Sequence, residues 1–212
     1  MTVLNAFIEY WYLTVILVVA IVLTVFVSVK AAKAAKKSRS KREKIIEQLR
    51  YENKTRAEFA NPTAQQILSA EPEKLVDGIA LNLQADLEKQ ADMVAAFENL
   101  SKPPKYIYAL YYFITDSKEK LSEFFKKNGK PLTGTAKEAV ESALGCKVYD
   151  LYVKQYQAFD SENEDVSLIQ TEIDASDAAF AEVRAETDFY ELAAAYIKTN
   201  YVYFTAECEE CD

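Results

Sequence analysis

Residues 11–29 (WYLTVILVVAIVLTVFVSV) form an apolar block with no charge, no Gly and no Pro, and the basic stretch 30–44 (KAAKAAKKSRSKREK) follows at once. A helix of that length spans about 28 Å, close to the hydrocarbon thickness of a bilayer. Thirteen of the nineteen residues are Leu, Ile, Val or Phe, which favours insertion by at most about 4–8 kcal/mol. The pattern predicts a transmembrane helix over 11–29, preceded by a short extracytoplasmic segment, 1–10. Trp11, with Tyr10 and Tyr12, stands where an interfacial aromatic belt lies. Beyond the block, Ala, Lys, Arg and Glu continue without Gly or Pro as far as Pro62. This predicts a basic helical stalk over 30–60. Its apolar residues Ile45, Ile46 and Leu49 are too few to sustain heptads.

From 61 to 205 apolar residues recur at helical spacing and no strand-like alternation is present. Leu75, Ile79, Leu83 and Leu87 mark a helix opened by Pro72, and Met93, Val94 and Phe97 mark a shorter one. Pro103-Pro104 suits the start of a helix carrying Tyr106, Leu110, Phe113 and Ile114. Asp116 or Ser117 is the expected cap of the next, with Leu121, Phe124 and Phe125, which stops at Asn128-Gly129. Thr135 is the expected start of a helix to Gly145. Tyr149, Tyr152, Val153, Tyr156 and Phe159 line another, an acidic loop covers 160–168, and helices at 169–184 and 187–204 precede an acidic tail, 206–212. The fold class is therefore all-α: one transmembrane helix, a helical stalk and a compact multi-helix domain over 61–205.

Charge gives this plan a direction. Residues 1–50 carry a balance of +6 and residues 51–212 one of −14, within a total of −8. Basic flanks stay in the cytoplasm, so the N-terminus is expected outside and everything from Lys30 onward inside, at the cell membrane. A cleaved signal peptide needs its positive charge before the apolar run, the opposite of this arrangement. Trp11, Lys30, Lys33, Lys36, Lys37, Arg39, Lys41 and Arg42 are the candidate contacts to the bilayer, each base close to anionic lipid contributing about 1 kcal/mol. The acidic domain disfavours direct nucleic-acid binding, which needs a basic footprint.

The chain has no His, which removes Ser-His-Asp and Cys-His catalysis and the commonest zinc ligand. Three cysteines fit a reducing compartment. Cys208-x-x-Cys211 offers two thiolates where zinc takes four ligands, so no metal or cofactor is expected. Gly129–Gly134 (GKPLTG) lacks the Lys-Ser/Thr of a phosphate loop. Eleven carboxylates and one base, Arg184, lie between Asp160 and Glu191. Asp160, Glu162, Glu164, Asp165, Glu172 and Asp177 are the candidate partner contacts of that acidic face.

Three stretches carry a resemblance. KYIYALYYFIT (105–115), then Glu123-Phe124-Phe125 with Asn128-Gly129 and the Ala139–Leu144 helix, then Ile173-Asp174, Phe180 and LAAAYIKTNYVYF (192–204) resemble a bacterial all-helical domain family of largely unknown function that includes a DNA-mimic protein binding a transcription factor. The family's acidic–Asn–Gly–Gly–Phe turn is replaced here by TDSKEKLS. The resemblance implies an all-helical fold and transfers no catalytic residue. The sequence reads as a single-pass membrane protein presenting a cytoplasmic adaptor or scaffold module, whose partners are the bilayer and a protein with a basic surface. It is not expected to be an enzyme. The alternatives are DNA-mimic-like sequestration of a nucleic-acid-binding protein and a carboxylate-based enzyme.

Overall fold

The computed structural model describes residues 11–160 and 166–205, with the side chains of 11–38 described only in part and those of 160 and 166–169 not described. Among the described residues every regular element is helical. We number them α1 (Trp11–Glu58), α2 (Ala64–Ser69), α3 (Pro72–Glu88), α4 (Met93–Glu98), α5 (Lys102–Asp116), α6 (Leu121–Lys127), α7 (Leu132–Ala143), α8 (Cys146–Asp160), α9 (Val166–Glu186) and α10 (Phe189–Thr199), closed by a 3-10 turn, Tyr201–Phe204. The chain divides into two compact units, Met1–Tyr51 and Glu52–Asp212.

In the first unit the backbone is helical from Trp11 without interruption. Thr24 Oγ1 donates to the Ala20 carbonyl at 2.8 Å, so this hydroxyl is satisfied by its own helix. Ile45, Ile46 and Leu49 are exposed. Among the described residues no helix is long and apolar enough to cross a membrane. Eleven of the nineteen side chains of 11–29 lie outside the described residues.

The second unit takes in the last two turns of α1. Thr55 and Phe59 are buried there, and the Phe59 ring lies against Gly78, where a Cβ would collide with the Phe59 Cβ, Cγ and Cδ2. Asn82 Nδ2 donates to the Arg56 carbonyl (2.9 Å) and to the Gly78 carbonyl (2.8 Å), which joins the end of α1 to α3. Local signals then set most boundaries. Thr63 and Gln66 form a reciprocal capping box on α2. Pro72 opens α3, Asp92 caps α4 and Asp188 caps α10. Gly145, at φ 87°, ends α7 in the left-handed region that favours glycine.

Four boundaries differ from the sequence reading. The last helix, expected over 187–204, runs from Phe189 to Thr199 and gives way to the 3-10 turn Tyr201–Phe204. α7 begins at Leu132 rather than Thr135, one turn earlier. α8 reaches Asp160 and α9 begins at Val166, so helix occupies both ends of the expected loop 160–168. Neither Asp116 nor Ser117 caps α6, whose N-cap position is Lys120 with no side-chain bond. Ser117 Oγ instead bonds back to the Phe113 carbonyl of its own helix.

α5 is the central helix, packed on α3, α6, α7 and α10. Phe113 holds the middle of the core, with ring centroids at 5.6 Å from Phe124, 5.7 Å from Tyr152, 5.8 Å from Phe180 and 6.0 Å from Phe189. One ring from each of five helices therefore meets at a single point, edge-on for Phe124 and Phe180, tilted for Tyr152 and stacked for Phe189. Tyr152, fully buried, donates its hydroxyl to the Thr133 carbonyl at 2.7 Å and so joins α8 to α7.

Two predictions follow from this packing. Gly78→Ala gains about 1 kcal/mol of helix propensity but loses about 1–3 kcal/mol to overpacking against Phe59. We expect net destabilisation in denaturant titrations, reversing to stabilisation in a Phe59→Ala background where the obstruction is gone. Burial, assisted at Tyr106 by its hydrogen bond to Glu138, holds the phenols of Tyr106, Tyr108, Tyr111 and Tyr152 well above their ordinary value. Above about pH 10 the unfolded chain releases these protons while the folded chain keeps them, so stability falls as pH rises. The slope is at most about 1.4 kcal/mol per pH unit for each such tyrosine, and Tyr152→Phe should make it measurably shallower.

Candidate functional site

The basic candidates share one helix. Lys30, Lys36, Arg39, Lys41 and Arg42 are exposed along α1, and the side chains of Trp11, Lys33 and Lys37 lie outside the described residues. Glu162, Glu164, Asp165 and the side chain of Asp160 lie outside the described residues, and Glu172 is exposed on α9.

Asp177 is a correction: it is buried, 7 % exposed, and is no part of a solvated acidic face. Its carboxylate accepts from the Ser122 amide (2.8 Å), the Ser122 hydroxyl (2.6 Å) and Gln155 Nε2 (3.3 Å). Ser122 is the second residue of α6, whose first amides have no intrahelical acceptor. Lys120 cannot supply one, so a carboxylate from α9 does, and it also matches the positive end of the helix dipole. Gln155 Oε1 is left as a buried acceptor without a partner.

Arg184, the single base the sequence places among those carboxylates, is also absorbed by a helix end. Its guanidinium donates to the Ile114 carbonyl (3.2 Å) and to the Ser117 carbonyl and hydroxyl (both 3.3 Å), and lies 5.4 Å from the Phe189 ring centroid. Burial lowers its pKa. It satisfies the last carbonyls of α5.

The structure instead builds an apolar site around the turn between α6 and α7. A cavity of about 300 Å³ is lined by Met93, Val94 and Phe97 of α4, Tyr108 and Tyr112 of α5, and Leu132, with the turn Asn128–Pro131 as its edge. A second recess of about 170 Å³, lined by Phe125, Thr133, Tyr156 and Phe159, opens beside Asn128, Gly129 and Lys130. The walls are aromatic contacts: Phe97 to Tyr108 at 5.4 Å, Tyr108 to Tyr112 at 5.0 Å, and Phe125 stacked on Phe159 at 5.3 Å. The ammonium groups of Lys130 and Lys137 each lie 5.9 Å from the Tyr156 ring centroid.

Polar bonds hold the turn in place. Asn128 Nδ2 donates to Asp116 Oδ2 (2.9 Å) and to the Phe124 carbonyl (3.0 Å), and Lys127 Nζ pairs with Asp116 Oδ1 at 3.0 Å. Asp116 thus anchors the far end of α6 rather than its beginning. The stretch 102–154 around the site carries ten Lys and six Asp or Glu, a balance of +4 inside an otherwise acidic unit. Apolar walls beside ammonium groups suit a ligand that is apolar in part and anionic in part. Sequence reasoning did not single out Lys130, Lys137 or the Asp116–Asn128 pair. The available signal was the density of tyrosine and lysine on either side of Asn128-Gly129.

Among the described residues no three His, Cys, Asp or Glu side chains converge as metal ligands. Cys146 is exposed and unpaired as a disulfide, and Cys208 and Cys211 lie outside the described residues. No family model, curated protein or solved structure matches the chain. The resemblance drawn over about 75–204 therefore stands on those residues alone.

If Asp177 serves as the cap of α6, Asp177→Ala leaves three buried donors without an acceptor and costs about 2–4 kcal/mol. Asp177→Asn keeps one acceptor and should cost less. A surface carboxylate would change stability by no more than about 0.5 kcal/mol, so urea titration of the two variants separates the roles.

Proposed function

We propose that the chain is a single-pass membrane-anchored adaptor with its N-terminus outside and its helical domain in the cytoplasm. One observation carries the reading: the uncharged run 11–29 and the basic run 30–44 belong to one uninterrupted helix, α1, whose last turns are packed and hydrogen-bonded into a folded unit. An apolar stretch of that length bordered by lysine and arginine on one side sets both insertion and direction. The exposed Lys30, Lys36, Arg39, Lys41 and Arg42 would meet anionic headgroups, while the net charge of −14 over 51–212 keeps the domain off the same surface.

The domain's work in this reading is to hold a protein partner at the membrane. Exposed carboxylates on α9 and α10, among them Glu172, Asp174, Glu182 and Glu191, suit a basic partner whose attachment weakens as salt rises.

Cysteine labelling tests the anchor and its direction. In a Cys208→Ser, Cys211→Ser chain, the exposed Cys146 should react with a membrane-impermeant maleimide only after cell lysis. A Thr2→Cys variant, with Cys146 also replaced by Ser, should react in intact cells. The chain should stay with the membrane through alkaline carbonate extraction. Release by carbonate, or labelling of Cys146 in intact cells, would refute the arrangement.

A further inference from the structure

We infer that the larger cavity beside the Asn128–Pro131 turn binds a small uncharged aromatic compound bearing one hydrogen-bond acceptor of the carbonyl type. The inference goes beyond the adaptor reading and depends on neither the anchor nor the protein partner.

The cavity stands on a core of its own. Leu87, Phe97 and Tyr108 form a buried apolar cluster separate from the one around Phe113, with Tyr112 and Leu132 packed against it. The volume of about 300 Å³ equals that of roughly ten waters, at the small end of ligand cavities. Phe97 and Tyr108 in its floor are buried, and Met93 and Val94 at its lip are open to solvent. α4, which forms one wall, is fastened at both ends. Asp92 accepts from the Ala95 amide at 3.0 Å, and Lys105 Nζ donates to the Glu98 carbonyl. The turn opposite is held by Asp116 through Asn128, so both walls are in place before a ligand arrives.

The lining specifies both a ring and an acceptor. Phe97, Tyr108 and Tyr112 follow one another with centroids 5.4 Å and 5.0 Å apart, both pairs tilted, so a flat ring seated here meets aromatic faces and edges. The hydroxyls of Tyr108 and Tyr112 bond to each other at 3.5 Å. Two phenols carry two protons, and the bond between them uses one. The other proton has no acceptor among the described residues. A lining that keeps one proton to donate selects a ligand by its acceptor.

Charge has no part in the choice. Lys130 at the edge has a partner of its own, and Glu88 acts on the Tyr108 phenol from the opposite sign. Burial already raises the pKa of that phenol, and the same loss of water penalises a charged ligand seated on it. The ligand is therefore neutral.

The test uses the only two methionines of the chain, Met1 and Met93. Full-length chain in nanodiscs, carrying 13C at the methionine methyls, is titrated with acetophenone. The Met93 signal, assigned by Met93→Leu, should move to saturation, whereas that of Met1 should not. Ethylbenzene, which has the ring but no acceptor, should bind about tenfold more weakly, as loss of one hydrogen bond predicts. Benzoate should bind at least about tenfold more weakly than acetophenone. The Tyr108→Phe, Tyr112→Phe chain should bind acetophenone and ethylbenzene alike, with ethylbenzene as in the parent, a loss of preference that a purely structural role cannot produce. Val94→Trp should exclude both probes while the melting curve stays as in the parent.

An unsaturable Met93 shift, or one matched by Met1, would overturn the inference by showing partition into the bilayer only. Equal binding of acetophenone and ethylbenzene by the parent would overturn the role of the phenols. Benzoate tighter than acetophenone would assign the cavity to an anion, and self-association abolished by Val94→Trp, without probe uptake, would assign it to a second copy; either overturns the inference. Failure of the cysteine-labelling pattern leaves these results unaffected, so the two readings fall separately.

Discussion

A carboxylate at the start of a seven-residue helix sets the geometry on which the candidate site depends. α6 has no cap of its own, and its first turn is buried. Unpaired amides there would cost more than so short a helix returns. Asp177 supplies the acceptor from 55 residues away and draws α9, α6 and α8 together through Ser122 and Gln155. With α6 placed, Phe124 reaches the Phe113 ring and Phe125 reaches Phe159. Asn128 then meets Asp116, and the turn that separates the two recesses is in position. One buried charge thus controls a core contact on one side of α6 and a surface site at its end.

The end of α1 follows a different rule, that of close approach. Phe59 occupies the space that any side chain at 78 would need, and Asn82 closes the carbonyl end of the helix. These contacts make the last turns of α1 part of the second unit, which begins at Glu52. A helix that begins in an uncharged run thereby ends inside a folded core. In the proposed function this is the joint through which an anchor carries a domain.

Charge is organised more finely than a net balance shows. Carboxylates dominate the two flanks of the second unit, and lysines dominate 102–154 in its middle. The apolar recesses draw most of their lining from that middle stretch, while the acidic residues chosen from sequence begin at Asp160, directly after Phe159 of the second recess.

Much of the fold was legible in the residues themselves. Helical spacing of Leu75, Ile79, Leu83 and Leu87, the prolines at 72 and 103–104, the Asn128-Gly129 stop and Gly145 all mark boundaries through local chemistry: a fixed φ, a side-chain acceptor near an open amide, a glycine where φ is positive. The uncharged run and its basic border are equally local. What the sequence could not contain is which polar group answers which helix end across the core. Asp177 and Glu172 look alike in a row of carboxylates, yet only Asp177 meets an uncapped helix. Asp116, Ser117 and Arg184 were likewise assigned by contacts many residues distant. The recesses were hidden for the same reason, because Met93, Tyr112, Leu132 and Phe159 become neighbours of one turn only after packing. Sequence determines where a helix starts, stops and shows an apolar face, since those depend on the nearest few residues. Tertiary structure decides which polar group is buried and which apolar group is left open, since burial is a property of the whole packed chain.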